Sequence, residues 1–520
     1  MRHVEFIQKF DPLLEKGVRL TEDKVTIRGR IRSYRDVSSK LVFYDVVQDQ
    51  RKIQCVSNKA VIGGELDDFY TRTTALRVGD IISVTGFPAR SNSGELSVYA
   101  TSHPRLLAPC MHQIPDELHN QEKLQQHRHL DLLVNPAAAA TLKLRSKIIQ
   151  HIRSHLISLD YIEVQTPILS SDAGGALARP FLTEASSTHK PLALRIAPEL
   201  WLKRLLVGGM DRVFELGPQF RNEGIDATHN PEFTTCEAYL SFGRLTDVMQ
   251  LTVHLFRDLM RLTAQLKSSG SVCDALLPSD VDLVDAIHGP WKVLQFIPAL
   301  EEALGEPLPR DLEDVDALLE ICDRHNVVIS AERETITPAK ALDKLAERFL
   351  ESQCEGPTWI SNHPACMSPL AKHSIRGGRV VAERVELFIR GVEYVNAYEE
   401  ENSPDEQRRK FLRQRDADKK ELEQEGQEQQ ETGDDGIDNS YCETLEWGLP
   451  PTAGWGIGVD RLVMLFSGQE RIADVMAFGG LRGAVNQGAK KPAKKIDSPS
   501  SAESDAVGEI VGDLVRGLEK

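Results

Sequence analysis

FRNEGIDATHNPEFTTCEAYLSF, residues 220–242, carries the decisive reading of this chain. An arginine opens it, a Gly/Asp/Asn loop follows, and the chain returns as a strand. Side chains alternate across a strand with period two, so Phe233, Thr235, Glu237 and Tyr239 share one face. A face that presents an aromatic ring, a carboxylate and a phenol suits a binding wall better than a core. Phe233 is placed to stack on a purine, and Arg221 to neutralise a phosphate. An antiparallel hairpin with a polar, solvent-facing side fits the same spacing equally well.

Further along, RVELFIRGVEYVNAYEEEN (384–402) reads as two strands joined at Arg390–Gly391. Across so short a turn, Glu386 and Glu393 fall on the same face. Two carboxylates sharing a site repel unless a cation joins them, and hard oxygen ligands suit Mg²⁺ held with substrate phosphates. Tyr394, Asn396, Tyr398 and Glu400 have the opposite parity, so one common pocket requires a bulge between Glu393 and Asn396. A solvated acidic strand is the competing reading, but it explains less well why Glu386 sits between Val385 and Leu387. In AGWGIGVDRL (453–462) the glycines follow Pro450 and Pro451 rather than a βαβ strand, which excludes a dinucleotide fingerprint. They suit close backbone approach to a planar ligand, with Arg461 aimed at it. Finally, Glu199 in RIAPELWLKRLLVGG (195–209) stands at a helix start, where taken alone it reads as a cap.

Outward from these blocks, 520 residues exceed what one core organises, so two to four domains are expected at about 100–200 residues each. Between Lys24 and Thr101, VTIRGRI, KLVFYDVV, RKIQCV, DIISVTGF and ELSVYA read as five short strands, the pattern of a small closed barrel. A net charge of −16 argues against a nucleic-acid partner only as an average. Residues 28–52 carry seven basic side chains against three acids, a local +4, whereas residues 399–438 carry fifteen acids against seven bases, a local −8. Basic first strands tilt the barrel toward oligonucleotide binding. No run approaches the ~18 apolar residues of a membrane span, which excludes a membrane-spanning enzyme. Eight cysteines without zinc spacing point to reduced thiols.

The periodicity predicts a helix over Thr141–Leu159, then a strand in EVQTPIL (163–169) confined to an edge by Pro167. Helical stretches within 263–356 show no catalytic constellation and read as a packing subdomain. RVVAERVELFIRG reads as a strand, and DEQRRKFLRQRDADKKELEQE as a solvated helix. The expected division is an extension at 1–23, a barrel at 24–107, a linker at 108–140 and a catalytic domain at 141–482. That domain holds a helical insertion near 296–356 and a charged one near 403–440. A basic, Ser-rich tail at 483–520 ends in a short amphipathic run.

Taken in order, these blocks resemble the class II aminoacyl-tRNA synthetases, and within them lysyl-tRNA synthetase. LRSKIIQHIRSHLISLDYIEVQTPIL is similar to motif 1 of that class, FRNEGIDATHNPEF to motif 2 and GIGVDRL to motif 3. RIAPELWLKRL, HPACMSPLAK, NAYEEEN and LEWGLPPTAG resemble the lysine-specific signatures. The implied fold is α+β: an N-terminal five-stranded oligonucleotide-binding β-barrel, then an antiparallel-sheet catalytic domain flanked by helices. The implied activity joins L-lysine to tRNA(Lys) with ATP and Mg²⁺ in a homodimer. By that resemblance Arg221 holds the α-phosphate and the lysine carboxylate, Glu223 reads the adenine amino group and His229 meets the distal phosphates. Phe233 and Arg461 sandwich the adenine, and Glu386 and Glu393 bind Mg²⁺. Glu199 with the Gly174–Gly175 turn receives the α-amino group and Asn396 the carboxylate. Glu400 and Tyr239 take the ε-ammonium, with Glu237 nearby and Tyr398 against the stem. Arg35, Phe43 and Gln54 match the anticodon-reading positions, where bases stack on aromatic rings.

Trp201, GPQ at 217–219, Trp455, NSP at 402–404 and FGGLR at 478–482 depart from the commoner family pattern and resemble a eukaryotic organellar branch. They favour a mitochondrial protein, whereas MRHVEFIQKFDPLLEKG reads poorly as a transit peptide and leaves the cytoplasm as the alternative. An aspartyl- or asparaginyl-tRNA synthetase shares the barrel and the three motifs, but an acidic substrate needs a cationic pocket. A non-catalytic tRNA-binding relative is the other alternative.

Overall fold

The structure is a computed structural model that describes residues 1–170, 178–187, 189–268, 281–329, 333–424 and 438–479. The Gly174–Gly175 turn and the tail at 483–520 lie outside the described residues.

Alternating apolar positions build the first unit. Strands β1 (Val25–Ser38), β2 (Leu41–Gln48), β3 (Arg51–Asn58), β4 (Ile81–Arg90) and β5 (Leu96–Ala100) join in the order β1-β2-β3-β5-β4, and β4 pairs back onto β1. The sheet is closed, as the sequence predicts. Ile27, Ile31, Val42, Tyr44, Val46 and Val84 fill its interior. Strand β6 (Arg105–Ala108) extends β4 outside the closure. The residues ahead of the barrel are part of it: helix His3–Phe10 sends Phe6 and Phe10 into the same core.

The second unit begins with helix Pro136–Ser158, five residues before the expected Thr141. Proline is favoured in a first helical turn because its missing N–H has no intrahelical partner there. EVQTPIL does not form one strand. It supplies β7 (Ile162–Glu163) and β8 (Leu169–Ser170), with Pro167 between them, where it interrupts no ladder. Strand β8 joins β9 (Leu182–Ala185) and β10 (Lys190–Leu194) in a small sheet.

The large sheet takes β7, β11 (Arg212–Phe220), β12 (Glu232–Ser241), β13 (Lys292–Gln295) and β14 (Thr358–Ser361). After a separate ribbon of β15 (His373–Arg376) and β16 (Arg379–Ala382), it adds β17 (Arg384–Ile389), β18 (Val392–Glu399) and β19 (Thr452–Gly458). RVVAERVELFIRG is therefore two strands in two sheets, divided at Glu383. The order is β13-β14-β17-β18-β19-β12-β11-β7, antiparallel through the middle and parallel at both edges. Helices Pro136–Ser158, Leu245–Ser268 and Val459–Ser467 cover one face, where Leu144, Ile148, Leu255, Phe256 and Phe466 pack against Cys236, Ala238, Val395, Ala397 and Trp455. Helices Phe296–Leu304, Val315–Arg324 and Pro338–Phe349 build a second core that reaches Ile360 and Phe388. The opposite face of the sheet is left for the site.

Candidate active site

Cross-strand register lays the site out in rows. Glu237 on β12 stands opposite Gly456 on β19, which stands opposite Asn396 on β18, and Asn396 opposes Glu386 on β17. In the next row Tyr239, Gly454 and Tyr398 succeed one another. The anticipated bulge is present: Leu387 pairs with Val395 and Phe388 with Glu393, so Tyr394 is the extra residue. That single insertion changes the phase of β18 and brings Glu393 and Asn396 to one face. Tyr394 itself turns to the helices, edge-on to Phe256 with ring centroids 6.4 Å apart. Arg390 and Gly391, both at positive φ (55° and 70°), make the tight turn between Ile389 and Val392.

Together these rows floor a cleft of 970 Å³. Glycines at 454 and 456 keep the floor open. A Cβ on Gly454 would fall on Glu400 Oε1 and lie 2.8 Å from Tyr239 Cε1. Trp455, between them, points the other way and donates from its indole to Thr252 Oγ1 at 2.8 Å. The tryptophan that interrupts the glycine pattern is thus a core residue.

At one end of the cleft carboxylates dominate. Tyr398 donates to Glu199 Oε2 at 2.6 Å and Tyr239 to Glu237 Oε2 at 3.1 Å. Beneath them lies Lys203, fully buried, whose ammonium pairs with both Glu199 and Glu400. Burial works against that charge, but the two carboxylates outweigh it and raise Lys203 well above the ordinary lysine range. Glu400 is 1% exposed and stands behind the cleft wall, its Oε1 without a hydrogen-bond partner among the described residues. Burial and the neighbouring Glu199 push the Glu237 carboxyl up to about 8.

At the other end, Arg221 lies over the Phe233 ring at 5.1 Å. Arg461 donates to the Glu393 backbone carbonyl at 2.9 Å, to its carboxylate at 3.2 Å and to His229 Nε2 at 3.0 Å. Glu386 is held by the Arg384 guanidinium and by His363 Nε2 at 2.9 Å. Burial would raise Glu386, but Arg384 and His363 overcome it and hold the carboxyl down at about 2. Glu393 moves the opposite way, raised by burial and by the charge on Glu386. Asp460 fixes this end from behind by accepting from the Thr234 N–H at 2.6 Å and pairing with Arg145.

Such a cleft combines a basic and aromatic end, paired acids and an anionic end, in a chain that also carries a closed barrel. Comparison with known proteins agrees. Residues 120–482 match the family described as tRNA synthetases class II (D, K and N), and residues 25–103 match the OB-fold nucleic acid binding domain. The chain is 43% identical over 475 residues to "Lysine--tRNA ligase, mitochondrial" of Schizosaccharomyces pombe, covering 88% of this chain and 84% of that one. The chain belongs to the lysine–tRNA ligase family of class II tRNA synthetases. Other relatives are "Probable lysine--tRNA ligase, cytoplasmic" of Enterocytozoon bieneusi, 39% identical over 89% of this chain and 88% of that one, and "Lysine--tRNA ligase" of Enterococcus faecalis, 37% identical over 92% and 91%.

In this synthetase Arg221, Glu223, His229, Phe233, Glu386, Glu393, Asn396, Arg461, Glu199, Glu237, Tyr239 and Tyr398 all line the one cleft. Glu400 does not line it directly. Asn396 Oδ1 accepts from Arg384 Nε at 3.1 Å. Gly174 and Gly175 lie outside the described residues. In the barrel, Arg35 opposes Phe43 across β1 and β2 and lies over its ring at 5.7 Å. Gln54 is 6% exposed and accepts from Ser97 at 3.1 Å, so it presents less of itself than Phe43 does. Within the basic patch, Arg30 donates to the Gly79 carbonyl and Lys52 pairs with Glu95, so part of the local charge is spent internally.

Several contributors escaped the sequence reading. Lys203, His363 and Arg384 lie inside the quoted blocks RIAPELWLKRL, HPACMSPLAK and RVELFIRG, but the sequence reading gives none of them a role. The helical insertion is not chemically silent, because Asp343 lines the cleft and Glu351 is pushed up to about 8 by burial and by Glu386. Nor is the charged helix Pro404–Gln424 simply solvated. Gln407 and Lys410 are buried, Lys410 pairs with Glu401 at 2.6 Å, and Phe411 and Gln414 reach the cleft wall.

Proposed function

We propose that this synthetase activates L-lysine with ATP and transfers it to tRNA(Lys). The observation that carries the choice of amino acid is the charge balance at the anionic end. Glu199, Glu237 and Glu400 converge there with one ammonium, that of Lys203. With Glu237 largely protonated at pH 7, Glu199 and Glu400 share the one ammonium of Lys203 and leave one negative charge over. An acidic side chain would therefore be repelled and an incoming ammonium would find a partner.

In the proposed geometry the lysine α-amino group meets Glu199 and its ε-ammonium meets Tyr239 and the field of Glu400 and Glu237, while Tyr398 packs on the stem. Asn396 orients the carboxylate. At the other end Phe233 and Arg461 flank the adenine, Glu223 reads its amino group and His229 contacts the distal phosphates. Arg221 neutralises the α-phosphate as the lysine carboxylate attacks phosphorus in line. The P–O bond to pyrophosphate breaks, and lysyl-adenylate remains. A terminal tRNA hydroxyl then attacks the lysyl carbonyl and releases AMP. The chain supplies no nucleophile; positioning and charge stabilisation do the chemistry.

Glu386 and Glu393 suit Mg²⁺, since adjacent strands bring two carboxylates, hard oxygen donors, to the same cleft. Bound there, the ion would neutralise phosphate charge. Arg35 and Phe43 would stack on and pair with anticodon bases, assisted by Gln54. We further infer a homodimer formed through the motif 1 helix, and a mitochondrial compartment, which the Schizosaccharomyces pombe relative's name supports; imaging the full-length protein tests the latter against the cytoplasm.

Amino-acid-dependent ATP–pyrophosphate exchange tests the substrate. Exchange with lysine and not with aspartate or asparagine is expected, and exchange with aspartate alone would overturn the assignment.

A further inference from the structure

On the helix-covered side of the large sheet, His151 and His155 stand four residues apart on helix Pro136–Ser158 and therefore share one face. Asp258, on helix Leu245–Ser268, faces them. One donor atom from each of the three lies within 4.8 Å of the others. The two imidazole rings are 6.2 Å apart.

These groups converge without satisfying one another. Nε2 of His151 and Nε2 of His155 are both buried and make no hydrogen bond among the described residues. His155 Nδ1 is 3.6 Å from Asp258 Oδ2, beyond hydrogen-bond range. The other Asp258 oxygen accepts from Arg261. Buried polar atoms nearly always find partners, so two orphaned imidazole nitrogens beside a carboxylate need a reason. A neutral imidazole is the form that binds metals.

We propose that His151, His155 and Asp258 form a binding site for a divalent transition-metal cation of the Zn²⁺ or Co²⁺ kind. Two imidazoles and one carboxylate suit such an ion; Mg²⁺ and Ca²⁺ prefer all-oxygen sites. Three protein ligands leave the remaining position to water. The ion would pin helix Pro136–Ser158 to helix Leu245–Ser268. None of the three residues lines the cleft, so the site is separate from the one that performs aminoacylation.

The test uses the full chain, without a histidine tag and stripped by chelator, in buffer with excess Mg²⁺ to occupy the carboxylates of the cleft. Zn²⁺ affinity is read by competition with a chromophoric chelator, and Co²⁺ by its visible absorption. The wild-type chain should bind one Zn²⁺ more than His151→Gln or Asp258→Asn. Each variant should weaken that equivalent at least about tenfold and lose the Co²⁺ band. Both variants should keep their pyrophosphate exchange, which shows that they fold. Equal Zn²⁺ stoichiometry and affinity in the wild type and the folded variants would overturn the site.

Discussion

The ammonium of Lys203 is buried against the carboxylate of Glu400, and neither side chain is accessible to solvent. Two groups that would be costly to bury alone stabilise one another beneath the cleft floor. Glu199 shares the same ammonium. The arrangement fixes a set charge at a fixed depth, and that charge defines the anionic end.

Removing one partner of a buried pair leaves the other uncompensated, at a cost of about 3–5 kcal/mol. Lys203→Met should lower stability by that order in urea denaturation. Lys203→Met combined with Glu400→Gln should recover part of the loss, because it removes both charges. Additive losses would show that the two residues do not act as a pair.

Glu237 gives the pocket a proton signature. Its carboxyl is raised to about 8, so it is largely protonated at pH 7. An incoming ammonium favours the carboxylate and lowers that value, so binding lysine at pH 7 should release a proton. Above about pH 9 the proton has already left and release should vanish. Calorimetric titrations of lysine in buffers of different ionisation heat measure it. Glu237→Gln should remove the buffer dependence, and a wild-type heat independent of buffer would contradict the mechanism.

Arg384 should set the acid tolerance of the reaction. It helps hold Glu386 at about 2, ionised throughout the working range. In Arg384→Gln the opposing effect of burial is less well balanced, so the folded carboxyl should rise. Exchange at pH 6 relative to pH 8 should then fall below the wild-type ratio, with the deficit shrinking as pH increases. An unchanged profile would remove Arg384 from that role.

Local alternation made much of the site legible. Phe233, Glu237 and Tyr239 could be placed on one face because they obey period two on a single strand. The parity conflict between Glu393 and Asn396 required a bulge, and Tyr394 supplies it. The Glu199–Lys203 pair follows helical i,i+4 spacing. The Lys203–Glu400 pair was not legible, since nearly two hundred positions separate them and only folding unites them. His363 and Asp343 converge on Glu386 in the same non-local way, whereas Arg384 is two positions from it on one strand and so shares its face. The charged helix misled for a physical reason: Gln407 and Lys410 are buried through specific partners, at Pro369, Ala371 and Glu401, which composition does not encode.

The most direct measurement is pyrophosphate exchange by Glu400→Gln, with KM determined separately for lysine and for ATP. If Glu400 supplies the field that receives the lysine ammonium, KM for lysine should rise by at least about tenfold, the equivalent of about 1.4 kcal/mol, while KM for ATP stays within about twofold. Equal increases for both substrates would contradict a lysine pocket built on Glu400.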